Sequence, residues 1–168
     1  GVHMQYSKLI ELYEKLESTT KRLEKTYFLS EFLKKADEKE LNSIVPLVQG
    51  RVFPAHDEAE IGVSTKLVIK SLSLASGKTD KDVESEWKKT GDLGDAAENI
   101  MKKKQQRSLF SAELETEDII KTIKKVASAE GQGSVDTKIR LISKLLGNAG
   151  AKESRYIVRT ILEDMRTG

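Results

Sequence analysis

Apolar side chains recur at intervals of three and four residues through nearly the whole chain, and nowhere do they alternate with polar ones over the length of a strand. The sets are Leu9, Leu12, Tyr13 and Leu16; Leu23, Tyr27, Phe28, Phe32 and Leu33; Leu67, Ile69, Leu72 and Leu74. They continue in Ile119, Ile120, Ile123 and Val126, in Ile139, Ile142, Leu145 and Leu146, and in Ile157, Ile161, Leu162 and Met165. This spacing lines each set along one side of a helix, so the chain is expected to be all-α, with about nine or more helices of modest length. Its 168 residues suffice for one compact domain with a core of its own. The two prolines, Pro46 and Pro54, fall close together, and the segment 46–61 reads as a loop between helical groups. Gly77, Gly91, Gly94, Gly131, Gly133, Gly147 and Gly150 stand where they would end or separate helices.

A weak internal repeat sharpens this reading. The segment 62–72, which opens Gly62-Val63-Ser64-Thr65-Lys66-Leu67, is echoed by the segment 133–143, and each copy runs from glycine through small polar residues to Thr-Lys and into an apolar helix. A fainter copy without the glycine is Ser18-Thr19-Thr20-Lys21-Arg22-Leu23. The pattern predicts helix–turn–helix hairpins, the second helix of each starting at the turn.

At such a start a hydroxyl or carboxylate caps the first turn while neighbouring N–H groups stay unpaired and carry the positive end of the helix dipole. A lysine just after the cap adds mobile positive charge, and together they form a phosphate site. Glycine lets a sugar-phosphate strand come close to the backbone. The candidate contacts are therefore Thr20 and Lys21; Gly62, Ser64, Thr65 and Lys66; and Gly131, Gly133, Ser134, Thr137, Lys138 and Arg140. A turn of this kind can equally be an ordinary cap beside a solvated lysine; its repetition favours the phosphate reading.

Charge supports a polyanionic partner at one end only. The 29 basic and 27 acidic side chains nearly cancel, but residues 101–168 carry fourteen against nine. Lys102, Lys103, Lys104 and Arg107 form the most concentrated positive stretch, which reads equally as a solvated connector or a contributor to DNA affinity. Gly91-Asp92-Leu93-Gly94-Asp95 reads as a structural helix cap, since paired carboxylates would repel phosphate. Trp87 shares a helical pattern with Val83 and is expected in the core.

Other chemistries find no support. Without cysteine there is no disulfide, thiolate nucleophile or cysteine metal site, which suits an intracellular, cytoplasmic and nucleoid-associated setting. Of the two histidines, His3 belongs to Gly1-Val2-His3, an apparent expression scar before a natural start at Met4, and His56 stands alone, so no metal site is expected. No apolar run approaches the roughly 20 residues of a membrane span, and no membrane partner is expected. Lys-x-Asp-Gly, phosphate-loop, nucleophile-elbow and His-Glu-x-x-His motifs are missing, which leaves no catalytic residue to nominate.

Ile61-Gly62-Val63-Ser64-Thr65-Lys66-Leu67, Thr90-Gly91-Asp92-Leu93-Gly94-Asp95-Ala96-Ala97-Glu98-Asn99, the segment 131–141, and Arg155-Tyr156-Ile157-Val158-Arg159-Thr160 followed by Met165-Arg166-Thr167-Gly168 together resemble the N-terminal domain of archaeal and eukaryotic replicative ATP-dependent DNA ligases. The resemblance runs from Met4 to Gly168. It implies that 4–165 form a helical DNA-binding domain and that 166–168 begin the linker to an adenylation domain. It further implies a grip on nicked duplex DNA across the minor groove, in replication, repair and recombination. The parent would be an enzyme using ATP and Mg2+ and joined to adenylation and OB-fold domains, with a sliding clamp as a further possible partner. No cofactor is assigned to this fragment, which lacks the adenylated lysine and should not seal nicks by itself. Two alternatives come from other classes: a helical-repeat scaffold that binds protein, marked by an exposed apolar groove, and a helical base-excision enzyme, whose Leu-Pro-Gly-Val-Gly type hairpin is not found.

Overall fold

The computed structural model describes residues 4–54, 56–104 and 113–167. Among them run nine helices and no strand: α1 Tyr6–Glu17, α2 Arg22–Lys35, α3 Glu38–Val48, α4 Thr65–Ser76, α5 Asp80–Thr90, α6 Leu93–Lys103, α7 Thr116–Ser128, α8 Ser134–Asn148 and α9 Ala151–Ile161. The fold class expected from apolar spacing is observed.

Helix α9 is the axis of the core. Tyr156, Ile157, Val158, Thr160 and Ile161 are all buried on it, so it is enclosed on nearly every side. It packs mainly on α6 and also on α1, where the Tyr13 and Tyr156 rings stack with centroids 5.0 Å apart. The α6–α9 approach depends on Gly94, because a Cβ there would lie 2.8 Å from Arg159 Cγ and 3.0 Å from the Arg155 carbonyl oxygen. A second group forms where α8 packs against α4 and α7, burying Val68, Leu72, Ile123, Ile142 and Leu146. Backbone bonds from Tyr6 N to Leu114 O and from Thr116 N to Met4 O, both 2.9 Å, tie the start of α1 to the start of α7.

Local signals account for several boundaries. Gly77 and Gly91 end α4 and α5 in the left-handed conformation (φ 77° and 74°), as their positions suggested. Thr79 and Asp82 form a capping box at the start of α5. Other readings need correction. Pro46 lies inside α3, not in a loop; it falls in the last turn, where the lost N–H and ring clash curtail little helix, and the irregular segment begins only at Gln49. Gly147 lies within α8 and Gly94 within α6, so neither separates helices. Hairpins join α1 to α2 and α7 to α8, whereas α4 follows the irregular segment 49–64 and has no hairpin partner before it.

Candidate nucleic-acid interface

The two fuller copies of the repeat meet in space. Because α4 packs on α8, their starts lie side by side, and Lys138 Nζ donates to the Gly62 carbonyl 3.3 Å away, across 76 residues of sequence. Gly62 is exposed with φ +66°, a conformation in which a side chain would be strained.

At α4 the capped helix start expected from the sequence is present. Ser64 is the N-cap, its hydroxyl oxygen accepting from Leu67 N at 3.2 Å, and the first turn contains no acidic residue. The N–H groups of Thr65 and Lys66 have no preceding helical carbonyl to pair with, so the positive end of the dipole is left open to an anion. Lys66 and Lys70 project into solvent, and no ion pair among the described residues engages either.

At α8 the start is earlier than expected. The helix begins at Ser134, with Gly133 as N-cap in the left-handed conformation (φ 81°), so Thr137 and Lys138 lie at the end of the first turn and not at its cap. The glycines supply the reason: Gly131 and Gly133 both take positive φ and close a tight turn, which lets the helix start directly after them. Thr137 Oγ1 donates back to the Gly133 carbonyl at 3.1 Å instead of capping, and no side chain caps this start. Asp136 in the first turn partly offsets the dipole, while Arg140 one turn on is exposed.

The third copy is built differently. Helix α2 begins at Arg22 with Lys21 as its N-cap residue and no side-chain cap bond. Glu24 fills the role an external anion would take, accepting from Thr19 Oγ1 at 2.5 Å and lying 3.8 Å from Lys21 Nζ. Thr20 lines a groove of about 660 Å³ with Arg22, Lys25, Arg166 and Thr167. Lys102 and Lys103 occupy the end of α6, and Lys104 donates from its ammonium to the Ala75 carbonyl in the last turn of α4. That is the end of the 12-residue helix away from Lys66, roughly 13 Å along its axis, so the basic run is apart from the paired starts. Arg107 lies outside the described residues.

Several consequential residues escaped the sequence reading. Asp92 does cap α6, accepting from Asp95 N at 3.2 Å, but it is also held by Arg159, whose Nε and Nη2 donate to Asp92 Oδ2 at 3.0 and 2.8 Å. Arg159 reaches Asp95 at 3.0 Å and Glu17 at 2.5 Å, and Arg155 bridges Asp95 at 3.1 Å and Glu98 at 2.7 Å. Burial pushes the Asp92 carboxyl upward, but the Arg159 guanidinium, reinforced by the Asp95 N–H and Arg166, holds it below the usual carboxylate range. The available signal was Arg159, one turn after Arg155 and set among the apolar positions Tyr156, Ile157, Val158 and Ile161 of α9. Trp87 is the other surprise: it is 36% exposed and lines a cleft beside Ser64 and Thr65, not the core. Its position near the end of α5, close to the glycine that stops the helix, leaves part of the indole beyond the packed face.

Among the described residues no cluster of His, Asp and Glu side chains is arranged to hold a metal, and no helix is long and apolar enough to cross a membrane.

The family described as DNA ligase N terminus matches residues 5–168. The DNA ligase of Thermococcus onnurineus is 42% identical over 98% of this chain and 29% of its own length. That of Methanothermobacter thermautotrophicus is 42% identical over 97% of this chain and 29% of the relative. A third, from Methanococcus maripaludis, is 43% identical over 98% of this chain and again 29% of the relative. The chain thus spans less than a third of the length of these relatives.

Proposed function

Because the chain belongs to the DNA ligase N-terminus family, we propose that it is the part of such an enzyme that holds duplex DNA around a nick, without reading sequence, through contacts to the backbone and minor groove. The observation that carries this is the pairing of two glycine-bearing helix starts, joined from Lys138 to Gly62, with Lys66 and Arg140 turned outward beside them. Two adjacent starts can take successive phosphates of one strand, which fixes a duplex in register and ignores its bases. Sealing itself, with ATP and Mg2+, is assigned to the remainder of the enzyme; nothing here supplies the acceptor lysine.

A salt titration of binding to nicked duplex tests the proposal, comparing the unmodified chain with the Lys66→Glu plus Lys138→Glu variant. Each phosphate that is no longer neutralised should flatten the slope of log affinity against log salt by about 0.9, so the variant should bind more than about tenfold more weakly with a slope reduced by about 1.8. Unchanged affinity and slope would remove the paired starts from the interface. Lys66→Glu alone separates this from any effect of breaking the bond between Lys138 and Gly62.

The scaffold reading has one observation in its favour. On α2, Leu23 is 85% and Tyr27 61% exposed, beside a groove lined by Phe28, Phe32, Lys8, Lys15 and Lys35. This face suits protein, such as the enzyme's other domains or a sliding clamp, and is separate from the paired starts.

A further inference from the structure

We propose that Trp87 is part of the DNA grip, its indole lying against deoxyribose of the strand whose phosphate sits at the start of α4. This rests on the DNA-holding reading above and adds to it an apolar contact at a residue that the repeated turns do not include.

The indole is the observation that carries it. A lone tryptophan is usually enclosed because of its large apolar surface, yet Trp87 is more than a third exposed while Val83, one turn earlier on the same helix, is fully buried. The exposed part forms a wall of a cleft of about 560 Å³ whose other walls include Val63, Ser64, Thr65, Gly91 and Leu162. One rim is thus the first turn of α4, and the opposite rim is an aromatic ring.

Charge around the cleft matches a sugar-phosphate strand. Arg166, half exposed, lines the cleft, and the exposed Lys66 and Lys88 directly follow the lining residues Thr65 and Trp87 in the chain, with Lys89 beside them. The two carboxylates lining the cleft are already engaged, Asp92 by Arg159 at 2.8 Å and Asp164 by Arg166 at 3.4 Å. Bases inside a duplex offer no free face for stacking, so the surface left to an indole is the sugar edge along the minor groove.

The arrangement divides the work. Lysines and helix starts neutralise phosphate and make affinity fall with salt, whereas an indole against sugar releases no counterion. Trp87 therefore adds affinity without adding slope.

Because Trp87 is the only tryptophan, the unmodified chain reports on itself. Titrated with nicked duplex, its emission should change and become shielded from acrylamide, saturating at the affinity measured independently by anisotropy of labelled DNA. Trp87→Ala should bind about tenfold more weakly with the same salt slope, as loss of about 55 Å² of buried apolar contact would give, and Trp87→Phe should recover most of the loss. Circular dichroism and melting of each variant identify loss of fold, and the emission of the unmodified chain decides the matter even if Trp87→Ala does not fold. The inference is overturned if emission and shielding are the same free and saturated, or if Trp87→Ala binds like the unmodified chain while Lys66→Glu plus Lys138→Glu does not. Absence of DNA binding by the unmodified chain would overturn the underlying reading as well.

Discussion

The α6–α9 joint turns its charges inward, and the paired starts of α4 and α8 leave theirs facing out. In the joint, one guanidinium, Arg159, is shared by Asp92, Asp95 and Glu17, and it is only 6% exposed. Removing charges from water is costly, and the arrangement holds because nearly every polar atom of the group is matched by another. At the paired starts, Lys66, Lys70 and Arg140 are solvated. Unpaired surface charge contributes little to folding, so its value lies in what can bind to it. The same residue types thus hold the domain together in one region and are available to a ligand in the other.

This contrast can be broken most directly at Arg159. Arg159→Ala removes the one cation shared by Asp92, Asp95 and Glu17, leaving Arg155 on Asp95 and the half-exposed Arg166 3.6 Å from Asp92, and should destabilise the fold by about 3–5 kcal/mol, read by denaturant unfolding. A loss below about 1 kcal/mol would mean that the joint is held by apolar packing alone. Gly94→Ala comes next: the new Cβ must displace the Arg159 stem and the α9 backbone, for a loss of about 1–3 kcal/mol in the same unfolding measurement.

Acid should affect the joint before it affects the paired starts. The Asp92 carboxyl is held below its ordinary value of 3.8, so its contribution is fully present above that pH and is lost as pH falls through the lowered value. Melting followed from pH 5 to pH 2 should show a shallower decline for Asp92→Asn than for the unmodified chain; parallel curves would exclude Asp92 as a source of the acid response. The smallest effect is expected at Lys66. Lys66→Ala should change stability by no more than about 0.5 kcal/mol while measurably weakening DNA binding.

The sequence by itself determined what is settled within a few residues. Apolar spacing specified the helices; Ser64, Thr79 with Asp82, and Asp92 specified starts, and Gly77 and Gly91 specified ends, because each cap bond spans only three or four residues. Where the structure departs from the local expectation, a competing local preference prevails, as with Pro46 inside α3 and the glycine turn that advances α8 to Ser134. What only the tertiary structure decided depends on residues far apart in the chain. Lys138 meets Gly62 across 76 residues, Arg159 meets Asp92 across 67 and Glu17 across 142, and the exposure of Trp87 follows from which helices cover α5. A spacing rule cannot supply such pairings, since they follow from how amphipathic faces pack and not from the order of residues along any one helix.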